Sequence, residues 1–128
     1  MRFLLDTHTL IWWWLEAPAL SARARAAMID PDNEVFVSPV SIIEIAMKVR
    51  RGRLSALAEP LANVDRDFAR YGFAHLPVNY RHAREAGLLK GDHRDPFDRL
   101  IAAQALTENL VVITVDSELA GFGCRTLW

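Results

Sequence analysis

The feature that most constrains this chain is a set of short apolar runs with no polar alternation inside them. Phe3-Leu4-Leu5, Val35-Phe36-Val37 and Leu110-Val111-Val112-Ile113 are each too short for a core helix and apolar at every position. A strand of that kind has to be covered on both faces, which is the situation of a parallel sheet layered by helices. Helical segments fall between the runs, and the connections are long enough for parallel crossovers. The order read along the chain is β-α-α-β-α-α-β-α-α-β-α-β.

The boundaries follow from local signals. Arg2 to Leu5 reads as a strand closed by Asp6, and Thr7 to Leu15 as a helix carrying Leu10, Ile11, Trp14 and Leu15 on one face and stopped before Pro18. Ser21 caps a helix over 22–29. Glu34 to Ser38 is the second strand. Ser41 opens a helix to about Arg51, with Gly52 as its stop. Pro60 to Tyr71 reads as a helix, Phe73 to Val78 as a strand and Tyr80 to Leu89 as a helix. Asp95-Pro96 opens a helix to Glu108 that ends at Asn109. Leu110 to Thr114 is the clearest strand, followed by a helical turn at Ser117 to Leu119 and a last strand at Arg125 to Leu127. The fold class expected is α/β, one domain over 1–128, with a mostly parallel central sheet of about five short strands flanked by helices.

Composition narrows the classes further. The 128 residues are 52% apolar and 24% charged, which suits one globular domain and not a disordered chain. The single cysteine, Cys124, excludes a disulfide framework and a cysteine-ligated zinc site. A net charge of -1 gives no global field for nucleic acid, so any such contact rests on local groups. The first apolar run meets Asp6, His8 and Glu16 too soon to be a secretory leader or a membrane span, which makes the cytoplasm the expected location and no membrane the expected context.

In an open parallel sheet, ligands bind beyond the carboxyl ends of the strands. Asp6 closes the first strand, Asp116 follows the fourth, Glu44 lies early in the helix after the second, and Asp98 lies in the first turn of the helix leading to the fourth. Chain direction sends all four to one rim. Crowded carboxylates repel, and a divalent cation relieves the repulsion. All-oxygen donors favour Mg2+ or Mn2+, and such a centre suits phosphodiester hydrolysis. Each acid also has a plainer reading. Ser41 to Glu44 matches a capping box, and Glu44 is spaced to pair with Lys48. Asp95 fits a helix cap, Asp98 a helix dipole, and Asp116 a turn.

The segments Asp6-Thr7-His8, Ser41-x-x-Glu44, His93-Arg94-Asp95-Pro96-Phe97-Asp98-Arg99 and Thr114-Val115-Asp116 resemble the ordered motifs of PIN domains, in particular the VapC toxins of bacterial toxin–antitoxin pairs. The resemblance covers essentially the whole chain. It implies a metal-dependent ribonuclease, an RNA substrate, a cognate antitoxin protein, a homodimer and no direct sequence-specific DNA binding. It assigns Asp6, Glu44, Asp98 and Asp116 to the acidic quartet that holds Mg2+ or Mn2+, with Asp95 and Thr114 as possible additions.

Other positions are weighed on the same terms. Arg94, Arg99, Lys48 and Arg51 are candidate RNA contacts, against helix-end or surface charge as the alternative. Trp12 and Trp13 are candidate partner contacts, because three consecutive tryptophans on a helix cannot share one face. His8 and His93 lie beside the acids, where a structural hydrogen bond is the simpler role. An aspartyl-phosphate phosphatase is disfavoured by His8 where a second Asp is needed. A receiver domain is disfavoured by having only Lys48 and Lys90 as lysines. A non-catalytic RNA- or protein-binding module of the same fold is the remaining alternative.

Overall fold

A computed structural model describes all of residues 1–128. Five parallel strands form one sheet: β1 (Arg2–Leu5), β2 (Glu34–Val37), β3 (Phe73–His75), β4 (Val111–Ile113) and β5 (Thr126–Leu127). Their spatial order is β3-β2-β1-β4-β5. Neighbouring strands are all parallel, with Leu5 opposite Ile113 and Phe3 opposite Val35. The chain winds outward from β1 to β3, then crosses back to place β4 on the other side of β1. The reversal of winding therefore lies between β1 and β4, the position at which sheets of this type open a crevice.

The helices are α1 (Thr7–Trp14), α2 (Ala22–Ile29), α3 (Pro39–Arg50), α4 (Ala58–Ala62), α5 (Val64–Tyr71), α6 (Tyr80–Leu88), α7 (Pro96–Glu108) and α8 (Ser117–Gly121), with a 3-10 turn at Ser55–Leu57. The pleat of the strands divides the core into two layers. Phe3 and Leu5 pack with Leu10, Ile11, Val35, Val37, Phe68, Val111 and Ile113 on one face. Leu4 and Val112 pack with Ile101, Ala102, Ala105, Leu119 and Cys124 on the other. Burial pushes the Cys124 thiol up to about 11, so it serves as a small apolar residue and not a nucleophile.

Several boundaries differ from the sequence reading, each for a local reason. Helix α3 starts at Pro39, not Ser41, because Ser38 is its N-cap and accepts from the Val40 N–H at 3.1 Å. Ser41 is then buried inside the first turn, so the capping box with Glu44 does not form. The helix expected from Pro60 breaks at Asn63, whose φ of -115° is not helical, giving α4 and α5. Strand β3 is only three residues long and β2 pairs with it just that far. Leu15 lies outside α1 and is exposed, whereas Leu10 and Ile11 are buried and Trp14, half-buried, packs against the same core. No helix is long and apolar enough to cross a membrane.

Candidate active site

Helices α1, α7 and α8 all begin at the carboxyl edge of the sheet, and each begins with an aspartate. Asp6 caps α1 by accepting from the His8 N–H at 2.7 Å. Asp95 caps α7 by accepting from the Phe97 N–H at 2.9 Å and the Asp98 N–H at 3.4 Å. Asp116 caps α8 by accepting from the Glu118 N–H at 2.9 Å. The positive helix ends offset part of the negative charge gathered here. Capping by Asp6 and Asp116 was not read from the sequence. The signal is present in the sequence, an aspartate between a strand end and a helix, although the plainer reading of Asp116 is a turn and Asp6 has none.

Asp6 sits at the switch between β1 and β4, where its own N–H donates to the Ile113 carbonyl at 3.3 Å. One carboxylate oxygen takes the cap bond, and the other accepts a short hydrogen bond from the Thr114 hydroxyl. Thr114 is fully tied, because its Oγ1 also accepts from the Asp116 N–H at 2.9 Å. The register explains the contact: Leu5 faces Ile113, so the next residues on the two strands, Asp6 and Thr114, meet. Burial raises the Asp6 carboxyl above its usual range, against the opposing pull of the Thr114 and His8 hydrogen bonds, and the charge of Asp116 adds to the rise.

Asp98 lies in the first turn of α7, where Oδ2 is 2.7 Å from Nε2 of His93. Burial raises its carboxyl too, outweighing the His93 bond, and the charges of Asp95, Asp116 and Asp6 push the same way. The Asp98 bond in turn lifts the His93 imidazole above its ordinary value. Asp6, Asp98 and Asp116 thus share one electrostatic field at the rim.

The charge of Glu44 does not figure among those acting on Asp6 or Asp98. Glu44 lies on α3, which packs against both α1 and α7. The Thr7 and Ser41 hydroxyls, 3.0 Å apart and buried, tie α1 to α3 on this side. Glu44 Oε2 is 3.7 Å from Lys48 Nζ, so the i,i+4 pair forms, while Oε1 is buried with no hydrogen-bond partner. An acceptor in that state implies a missing donor or cation.

No three His, Cys, Asp or Glu side chains are gathered tightly enough to enclose an ion by themselves. The donor chemistry is nonetheless that of a hard cation: carboxylate oxygens only, mutually repelling, with one orphaned oxygen to spare. Mg2+ retains much of its water and needs few protein oxygens, so an open array of this kind fits it better than a closed cage would.

The remaining expectations divide. Arg94 is exposed on the loop before α7. Arg51 is the exposed C-cap residue of α3. Arg99, expected as an RNA contact, is otherwise engaged. Its guanidinium donates to the carbonyls of Ala86 at 2.9 Å, His93 at 2.9 Å, Gly87 at 3.5 Å and, by a short bond, Leu89. It also lies over the Phe122 ring. A guanidinium with four of its five N–H donors used in this way closes the α6–α7 corner and has little left to offer a phosphate. Trp12 and Trp13 are half-buried rather than free. Trp12 meets Trp128 edge-on at 5.5 Å, and Trp13 meets Tyr71 at 5.1 Å with Arg25 above it. His82, passed over in the sequence, is a buried pin: it completes a cap with Asn79 and reaches Glu108 at 2.9 Å, joining α6 to α7.

Comparison with known proteins adds independent findings. The sequence model of the PIN domain matches residues 3–123. Ribonuclease VapC22 of Mycobacterium tuberculosis is 30% identical over 116 residues, covering 91% of this chain and 88% of that protein. Among solved structures, VapBC2 from Rickettsia felis bound to a DNA fragment from its promoter superposes with a TM-score of 0.75 at 17% identity, over 99% of this chain and 98% of that one. VapC20 of Mycobacterium tuberculosis, a sarcin-ricin loop cleaving toxin, gives 0.71 at 16% identity, over 95% of each chain. The two structures establish the fold, and the sequence matches establish descent. With the family's motifs lying on the rim where β1 and β4 part, this chain belongs to the PIN domain family.

Proposed function

We propose that the chain is a metal-dependent endoribonuclease and serves as the toxin of a toxin–antitoxin pair. The observation that carries the reading is the shared field of Asp6, Asp98 and Asp116 at the switch point, together with a buried Glu44 oxygen that lacks a partner on α3, the helix packed against α1 and α7. Similarity to a protein named as a ribonuclease supports RNA as the substrate.

Asp6, Asp98, Asp116 and Glu44 would hold the cation. Mg2+ or Mn2+ bound there supplies a Lewis acid for the phosphate and a source of activated water. The chain's own residues prepare the site. Thr114 and the α1 N-terminus fix both oxygens of Asp6, so its orientation needs no adjustment on binding. The α8 N-terminus fixes Asp116 in the same way. Arg94, exposed near the rim, draws the RNA backbone toward an otherwise acidic surface, with Arg51 and Lys48 contributing from α3. Asp95 is assigned the helix cap, its Oδ1 serving two backbone N–H groups, and Asp98, whose charge shares the field of Asp6 and Asp116, is assigned the ligand role.

The solved complexes among the structural relatives pair toxin and antitoxin chains, which supports a protein antitoxin as partner here. The exposed flanks of Trp12 and Trp13 are proposed contacts for it, and a homodimer is the proposed state of the toxin. The test is RNA cleavage by metal-free protein with Mg2+, with Mn2+ and with excess EDTA, beside Asp98→Asn. Cleavage restored by metal and lost in Asp98→Asn supports the reading. Undiminished cleavage in chelator refutes the metal. RNA binding without any cleavage identifies the non-catalytic module instead.

A further inference from the structure

The loop between α6 and α7 carries a small closed circuit of bonds around His93. Its Nε2 lies 2.7 Å from Asp98 Oδ2, the one hydrogen bond that carboxylate makes. Its main-chain carbonyl accepts from Arg99 Nη1 at 2.9 Å. Its ring rests against Phe122 at 5.9 Å, and the Arg99 guanidinium lies over the same Phe122 ring at 5.5 Å. On its far side, Nδ1 is 3.9 Å from Glu118 Oε2. The loop has no helix or strand of its own between Leu88 and Pro96, so these contacts set where the imidazole stands.

An ionised carboxylate can only accept, so His93 supplies the hydrogen. Holding Oδ2 leaves Oδ1 of Asp98 as its unengaged oxygen and stops rotation of the group. Asp6 and Asp116 are each held by a backbone N–H of a helix they cap, but Asp98 is inside its helix and has no such restraint.

We propose that His93 is the positioning residue for Asp98, presenting one carboxylate oxygen to the cation, and that Arg99 holds His93 in place to do so. The inference rests on the cation site proposed above. It gives the His93 to Arg99 segment a division of labour: Asp95 caps, Asp98 binds, His93 orients and Arg99 braces. A group in this relation to a ligand commonly accounts for about 10–100-fold in metal affinity.

The test is Mn2+ binding to the full chain without RNA, followed by the resonance signal of free Mn2+. His93→Phe keeps the contact with Phe122 but has no donor, whereas His93→Gln keeps a donor amide at similar reach. The expected result is a fall in Mn2+ affinity of about 10–100-fold in His93→Phe and recovery of most of it in His93→Gln, with both variants melting close to the wild type. In single-turnover RNA cleavage, His93→Phe should need more Mn2+ for half-maximal rate and approach the wild-type plateau at saturation. Wild-type Mn2+ affinity in His93→Phe, or an equal fall in both variants, overturns the positioning role. Asp98→Asn is the control: if it binds Mn2+ as tightly as wild type, the cation site itself is wrong and the inference fails with it. If Asp98→Asn loses Mn2+ and His93→Phe does not, only the inference fails.

Discussion

Thr114→Val removes one hydroxyl and changes almost no volume, so it isolates the bond between β4 and Asp6. Thr114 is 3% exposed and Asp6 6%, and water cannot readily replace the lost donor. A hydrogen bond to a charged acceptor contributes about 1.5–3 kcal/mol, and leaving the Asp116 N–H without its acceptor adds up to about 1 kcal/mol. The expected loss is therefore about 2–4 kcal/mol. With an unfolding entropy of about 2.1 cal/mol/K per residue, each kcal/mol moves the melting temperature of a domain of this length by about 4 °C. The variant should melt roughly 8–15 °C below wild type at pH 7. Thr114→Ser should recover most of that. A double-mutant cycle with Asp6→Asn makes the test specific, because an amide needs the hydroxyl far less than a carboxylate does. The coupling energy should be on the order of 1.5–3 kcal/mol. A variant melting within 2 °C of wild type, or the same drop with and without the Asp6 charge, refutes the reasoning.

Asp6 carries the pH prediction. Its folded carboxyl is raised by burial, so between its ordinary value of 3.8 and the raised one the folded chain holds a proton that the unfolded chain has lost. Stability from this group falls as pH rises through that window and stays lower above it. Asp6→Asn should therefore melt above wild type at pH 7, with the gap closing toward pH 4, while RNA cleavage disappears; a gap that widens on acidification contradicts this. Asp95→Asn should keep stability and most activity, whereas Asp95→Ala should lose about 1 kcal/mol in thermal melts, since Asn caps as well as Asp and Ala does not. Arg99→Lys cannot reproduce a fork across several carbonyls, and it should cost about 2–3 kcal/mol and raise amide exchange in residues 89–95. Weakened RNA binding with unchanged stability would instead restore Arg99 as a substrate contact.

The parallel sheet and the rim to which the acids are sent are both legible in the amino-acid order. Phe3-Leu4-Leu5 and Val111-Val112-Ile113 are apolar at every step, and a strand with no polar face can only lie between two layers of helices. From there chain direction alone puts Asp6 and Asp116 beyond strand ends, and Asp95-Pro96 opens α7 whatever surrounds it. Tertiary structure decided everything that depends on which strands are neighbours. The placement of β1 beside β4 brings Asp6 and Thr114 together across 108 positions of sequence, and no local pattern encodes that contact. The start of α3 is ambiguous in sequence because Ser38 and Ser41 are both competent caps. The choice fell to Ser38 because Ser41 is buried against Thr7 of α1, a partner visible only once the helices pack. Arg99 looked like a phosphate ligand for the same reason. Its charge is legible in the sequence, but the carbonyls of Ala86, Gly87, Leu89 and His93 that take most of its donors converge only when α6 lies along α7. Residue chemistry is local, whereas the satisfaction of a buried donor or acceptor depends on what the fold brings within about 3 Å of it.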